Sequence, residues 1–162
     1  MRAIHTIDPI FDTDSSILIL GSFPSVKSRQ ACFYYHHPQN RFWKVVSSVL
    51  GQTTPLTIEQ KKEFLHRNHI ALWDVIKSCK IENSSDSSIK DVQPNDLSLI
   101  LNNADIKMIF TNGSKAGDLY KRLCQNKTGM HTITLPSTSP ANARFSENKL
   151  IDKWIIIKDF IF

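Results

Sequence analysis

The sequence predicts an α/β domain, a three-layer α/β/α sandwich around a mostly parallel, four-stranded central sheet. Three observations lead there. Four short β-like runs are spread along the chain, helical periodicities lie between them, and the first and third runs are nearly continuous apolar segments. Such runs suit strands buried on both faces of a parallel sheet. Strands alternating with helices close into layers with helices over the sheet.

The elements follow in order. SILIL (16–20) is the first strand. A helix runs from about Arg41 to Leu50, where Phe42, Val45, Val46, Val49 and Leu50 share one face. Another helix begins near Thr57, which forms a capping box with Gln60. IALW (70–73) is the second strand. The stretch IENSSDSSIKDVQPND (81–96) is polar and Ser-rich and is expected as a long loop, and loops of that length are often functional. A helix follows Pro94, with Asn95 or Asp96 as N-cap and Leu97, Ile100 and Leu101 inward. KMIFT (107–111) is the third strand, and after Gly113 comes a helix with Ala116, Leu119, Tyr120 and Leu123 inward. HTITL (131–135) is the fourth. The last helix covers about Glu147 to Phe160, with Leu150, Ile151, Trp154, Ile157 and Ile161 inward. No internal repeat or linker interrupts this, so residues 1–162 are expected as one domain.

Composition narrows the function classes. Lys plus Arg exceed Asp plus Glu by 20 to 15, a surplus that permits a polyanionic partner without requiring one. Cys32, Cys79 and Cys124 form no close pair, which argues for a reducing compartment and against a disulfide framework. Three thiols also exclude a metal site built from four thiolates. MRAIHTIDPIF has no long apolar core, so it is not a signal peptide, and the apolar run 154–157 is too short to span a bilayer. A cytoplasmic protein with no membrane contact is expected. His36, His37 and Cys32 do not suit a metal site, because adjacent His side chains point apart and no second ligand pair is suitably spaced.

In open α/β sheets ligands bind beyond the carboxyl ends of the strands. GSFPS (21–25), TNGSKA (111–116) and PSTSPANA (136–143) leave such ends, and ACFYYHHPQNRFW (31–43) follows the first of them. GSFPS lacks the second Gly of a nucleophile elbow, so a serine hydrolase using Ser22 is disfavoured; otherwise it is a plain strand-to-loop turn. TNGSKA has a single Gly before Ser114 and Lys115, which suits a helix start able to hold an anion but not a P-loop. PSTSPANAR offers short hydroxyls for phosphate contacts and Arg144 to probe a groove, or is an ordinary turn. Asp74 and Asp86 are the carboxylates nearest strand ends or polar loops; either assists chemistry or serves as a surface or capping residue.

GSFPS, then YYHHPQNRFWKVV, then LPSTSPANA, in this order, resemble the uracil-DNA glycosylase superfamily. HPQNRFWKVV is similar to the mismatch-specific uracil/thymine branch, and the full set with LWDVIKSC and SSDSSI is most similar to the DNA-deoxyinosine (hypoxanthine-DNA) glycosylase branch. The resemblance spans about residues 16–146. It implies a monofunctional enzyme that flips a deaminated base out of DNA and hydrolyses its N-glycosidic bond, with hypoxanthine favoured and uracil a further substrate. The alternative is a lesion-sensing DNA-binding module of the same fold without the chemistry.

By position, the resemblance implies that the backbone near Ser22 and Phe23 meets the base edge and that Tyr35 is the stacking platform. The expected substrate-binding set is Gly21, Ser22, Phe23, Pro24, Ser25, Tyr35, His37 and Asp74. Ser137, Thr138 and Ser139 hold phosphates, and Pro140, Asn142, Arg144 and Lys115 complete the expected DNA contacts. The first motif carries Phe23 where many members of the superfamily place Asp or Asn. Asn40 then matches the catalytic amide, whose carbonyl orients a water. No cofactor or metal is implied. The expected partner is DNA containing a deaminated base, met by a monomer with no obligatory protein partner.

Overall fold

In the computed structural model, which describes residues 2–82 and 88–161, the chain builds two sheets. The elements are β1 (Arg2–Ile4), β2 (Ile17–Gly21), α1 (Val26–Ala31), α2 (Phe42–Val49), α3 (Ile58–Arg67), β3 (Ile70–Asp74), β4 (Ile76–Lys80) and β5 (Lys90–Pro94). They continue as α4 (Ser98–Leu101), β6 (Met108–Asn112), α5 (Ser114–Leu123), α6 (Gln125–Thr128), β7 (Thr132–Leu135) and α7 (Glu147–Trp154), which tightens into a 3-10 turn over Ile155–Phe160.

The four strands read from the sequence form one parallel sheet in the order β3-β2-β6-β7. Ile17 to Leu20 at its centre are fully buried, which is why that run carries no alternation. Register aligns the carboxyl ends: Gly21 lies opposite Asp74, Leu20 opposite Thr111, and Asn112 opposite Leu135. The segments GSFPS, TNGSKA and PSTSPANA therefore leave from one edge.

Helices flank this sheet, α3 against β3 and α5 against β6 and β7, while α2 packs on α7. Thr57 and Gln60 form the predicted capping box at the start of α3. Trp154 of α7 is fully buried, meets Phe42 edge-to-face with centroids 5.9 Å apart, and donates its Nε1–H to Pro136 O at 2.9 Å. The last helix thus carries the loop after β7 on its own core residue.

The second sheet, antiparallel in the order β1-β4-β5, departs from the sequence expectation. Residues 81–96 are not one loop, because Lys90–Pro94 pairs with β4. The strands escaped notice because they are short and polar: in IKSCK only Ile76 and Cys79 are buried, and KDVQP has no fully buried residue. Helix α1 was also missed; at six residues it shows too little periodicity to detect. Asp86 lies outside the described residues. No helix among the described residues is long and apolar enough to cross a membrane.

Trp154→Ala removes a fully buried ring and the hydrogen bond that anchors Pro136. It is expected to cost about 3–5 kcal/mol, read as a lowered denaturant midpoint with an unchanged slope.

Candidate active site

The carboxyl edge of the parallel sheet is organised around one polar chain. Asn112, the last residue of β6, donates from Nδ2 to Thr138 Oγ1 at 3.0 Å, and its Oδ1 accepts Thr138 N–H at 3.0 Å. Thr138 Oγ1 donates onward to Asn40 Oδ1 at 2.9 Å, and Thr138 O accepts Arg41 N–H at 3.1 Å. Thr138 is fully buried, and each of its polar groups is used. This corrects its expected role as a phosphate contact: Thr138 is an internal joint between the Asn40 loop and the loop after β7.

Asn40 is half-buried, and its Oδ1 also accepts Phe42 N–H at 2.9 Å, heading α2. With two donors on that oxygen, the expected water-orienting carbonyl is already engaged, and the amide Nδ2–H₂ is the part of the side chain left to act. The turn that delivers Asn40 closes through Asn40 N–H to His37 O at 2.9 Å, while His37 Nδ1 accepts Gln39 N–H.

Arg41, read from the sequence only as the start of a helix, is the clamp on the opposite loop. Its guanidinium donates to the carbonyls of Ser139 (2.8 Å), Asn142 (3.1 Å) and Phe145. Ser137 Oγ accepts Ser139 N–H and Ser139 Oγ accepts Ala141 N–H, both at 3.1 Å. Each hydroxyl keeps its O–H as a donor facing a half-buried surface. Asn142 Nδ2 donates to Ser137 O, Pro140 and Arg144 are exposed, and Lys115 is half-buried in the first turn of α5. Gly113 precedes that helix at φ 99°, and a methyl group there would press on Ser137 at 3.1 Å, so glycine lets the two loops meet.

Tyr35 occupies the left-handed region at φ 50°, a conformation an L-residue enters only when its surroundings impose it. Two contacts do so: Trp43 Nε1 donates to Tyr35 O at 3.2 Å, and the Tyr35 ring stacks on Phe42 with centroids 4.1 Å apart and planes 16° from parallel. The ring remains half-buried, while its hydroxyl is buried without a well-aligned partner. Burial, then the Asp74 carboxylate, push the phenol far above its usual range, with the Asn112 amide acting in the opposite sense. Tyr35 is a neutral phenol.

Asp74, at the end of β3, is buried and accepts His5 Nε2 on Oδ2 at 2.8 Å. A methyl group at Gly21 would overlap Asp74 Oδ1 and come within 3.2 Å of Tyr35 Oη, so a side chain here would have to displace the Asp74 carboxyl. Carboxylate, phenol and the first motif thus share one point. Ser22 and Pro24 are buried there, and Phe23 is half-buried with the Arg29 guanidinium over its ring. Ser25 corrects another expectation: its hydroxyl accepts Ser28 N–H and donates to Ser28 Oγ, so it caps α1 rather than facing the substrate edge.

Residues 9–160 match the family model described as the Uracil DNA glycosylase superfamily. The chain belongs to the uracil DNA glycosylase superfamily. It is 40% identical over 142 residues to the hypoxanthine DNA glycosylase of Methanosarcina acetivorans, covering 86% of this chain and 89% of that one. The hypoxanthine DNA glycosylase of Methanosarcina barkeri is 38% identical over 138 residues, covering 84% and 86%. The solution NMR structure of a uracil-DNA-glycosylase candidate from Methanosarcina acetivorans superposes with TM-score 0.80 at 36% identity, over 98% of this chain and 99% of that one. As a DNA glycosylase, this superfamily member is a hydrolase of base excision repair that acts on DNA.

Of the glycosylase residues expected from sequence, Gly21, Tyr35, Asn40, Asp74, Ser137 and Ser139 gather at one edge. His5, Arg41 and Asn112 were missed. Asn112 directly follows the predicted strand 107–111 and lies within the TNGSKA segment, and that position was the usable signal; the strand itself extends to Asn112. Nothing in the sequence links His5 to Asp74 or Arg41 to residues 139–145.

Thr138→Val keeps the shape of the joint but strands Asn112 Nδ2 and one acceptor site of Asn40. It should cost about 1–3 kcal/mol, measured by chemical denaturation, and Thr138→Ser should recover most of that loss.

Proposed function

We propose that the chain is a monofunctional glycosylase that excises a deaminated base flipped out of DNA, hypoxanthine by preference and uracil as a second substrate. The observation that carries this is the placement of the Asn40 amide. Its Oδ1 is held by Thr138, in the loop that carries Ser137 and Ser139, and by the N–H of Phe42, the ring on which Tyr35 stacks, on the sheet edge where α/β folds bind ligands. The relatives' names favour hypoxanthine.

The reaction follows from these parts. The reacting carbon is inaccessible inside a duplex, so the nucleotide leaves the stack. Its base lies against the face of Tyr35 opposite Phe42, and its edge meets the GSFPS backbone and Asp74. The O–H groups of Ser137 and Ser139 donate to backbone phosphates, with Lys115 and Arg144 supplying positive charge. The C1′–N bond breaks with its electron pair leaving on the base, and the departing base takes a proton from solvent. A water oxygen bonds to C1′ as the water gives up a proton to solvent, so that the products are a neutral free base and an abasic sugar. Asn40 has no basic group to take that proton. Its Nδ2–H docks the water by one lone pair and leaves the other directed at C1′, so its contribution is positioning.

Duplex oligonucleotides carrying deoxyinosine or deoxyuridine, treated with excess enzyme and then alkali, are expected to show strand cleavage at the lesion. Absence of abasic product from both would overturn the proposal. Asn40→Ala should slow single-turnover excision by about 10²-fold with little change in DNA affinity.

Tyr35→Ala removes the platform and should weaken handling of the flipped base by about 1–3 kcal/mol, measured as the single-turnover rate at saturating enzyme. Unchanged kinetics would mean that another ring carries the base.

A further inference from the structure

Helix α3 carries a lysine where its core-facing stripe calls for an apolar residue. Lys61, Phe64 and Leu65 follow the i, i+3, i+4 spacing of an inward face, and all three are buried, while the adjacent Lys62 is exposed. A lysine is seldom buried unless something answers its charge. Among the described residues Lys61 Nζ forms no hydrogen bond or ion pair; it lies over the ring of Trp43, 5.2 Å from the centroid. Burial lowers the pKa of the ammonium from its ordinary value, and the electron-rich face of the indole offsets part of that penalty.

The ring under that cation is also the one that holds the proposed platform. Trp43 Nε1–H donates to Tyr35 O at 3.2 Å, and Tyr35 is in the left-handed region at φ 50°. Such a backbone at a residue other than glycine persists only while its surroundings impose it. Trp43 cannot answer the charge by swinging away. Phe33 stacks on it with planes 14° apart and centroids 5.9 Å apart, and Phe42 meets it edge-on at 4.9 Å. A cation over a fixed indole draws π density toward itself and leaves the N–H more positive, hence a stronger donor. The charge on α3 therefore acts on the carbonyl of Tyr35.

We infer that Lys61 is a positioning residue for base excision, whose charge strengthens the Trp43 N–H bond to Tyr35 O and so holds the Tyr35 ring ready for the flipped base. This deepens the function proposed above and rests on its assignment of Tyr35 as the platform. The action is indirect, and its whole route is Lys61, Trp43, Tyr35. It accounts for the lysine in the core stripe of α3, where a methionine would fill similar space but supply no charge. It also gives α3, which packs on β3 behind the site, a part in the chemistry.

Lys61→Met keeps an unbranched chain and removes the charge. Stability in thermal melts should hold or rise, because an apolar side chain replaces a buried cation. Single-turnover excision of deoxyinosine at saturating enzyme should nonetheless fall by about tenfold, the scale of a desolvated cation–π contact. Lys61→Arg, whose guanidinium also stacks on indole, should keep most of the rate. In the Trp43→Phe background, which lacks the N–H, Lys61→Met should bring no further loss. A readout without catalysis is the proton–nitrogen NMR resonance of the Trp43 indole, identified by its absence in Trp43→Phe. It should move upfield in Lys61→Met and stay near its wild-type position in Lys61→Arg. An unmoved resonance or a wild-type rate in Lys61→Met overturns the inference. So do additive losses in the double variant, or a stable Lys61→Arg that is as slow as Lys61→Met. Failure of the wild type to excise deoxyinosine would overturn the glycosylase proposal, whereas the indole resonance tests the link from Lys61 to Trp43 by itself.

Discussion

The hydroxyl of Thr138 is the joint on which the site depends. It takes a hydrogen bond from Asn112 at the end of β6 and gives one to Asn40 at the head of α2, joining loops about a hundred residues apart in the chain. Parallel strands bring their carboxyl ends to one edge, but strand pairing alone does not set how the outgoing loops face one another. A buried polar network does, because every unsatisfied member would cost its full desolvation penalty. The network therefore favours one arrangement of Asn40 relative to Ser137 and Ser139.

Around that joint, the core and the site are continuous. Phe42 touches Trp154 on one side and stacks on Tyr35 on the other, so the proposed platform rests on a ring with no solvent exposure. Trp43 uses its only polar atom to hold the carbonyl of Tyr35 and with it a left-handed backbone. Arg41, between Asn40 and these aromatics, turns three loop carbonyls inward. Successive residues 40–43 thus serve the amide, the loop, the platform and the core. Preorganisation of this kind is what positional catalysis requires, since a weakly basic amide contributes little if its place is not fixed.

The electrostatics divide by depth. A surplus of positive charge lies on a chain that acts on polyanionic DNA, while the described floor of the site holds the buried, hydrogen-bonded couple of Asp74 and His5. Surface charge and buried polar groups do different work. Exposed cations attract any DNA, and base-edge contacts are what distinguish one base from another.

Much of this was legible in the sequence, and the rest was not, for definite reasons. The four parallel strands, the capping box at Thr57 and the inward faces of the long helices follow from local periodicity, which a single segment carries within itself. The loops at the carboxyl edge follow from that topology, and the aromatic and amide residues of 31–43 from resemblance. The antiparallel strands β4 and β5 were hidden because half-exposed polar strands acquire their pattern only from their neighbours. Ser25, Thr138 and His5 show the limit most clearly. The first two are short hydroxyl residues in loops, alike in sequence to Ser137 and Ser139, and only burial and partner geometry separate a cap and a joint from exposed donors. His5 meets Asp74 across 69 residues, and no spacing encodes such a pair. The sequence by itself determined which elements form and which edge carries the site; tertiary structure alone decided which polar groups there are spent on holding it together and which remain to meet a substrate, because a hydrogen bond depends on position in space and not on separation along the chain.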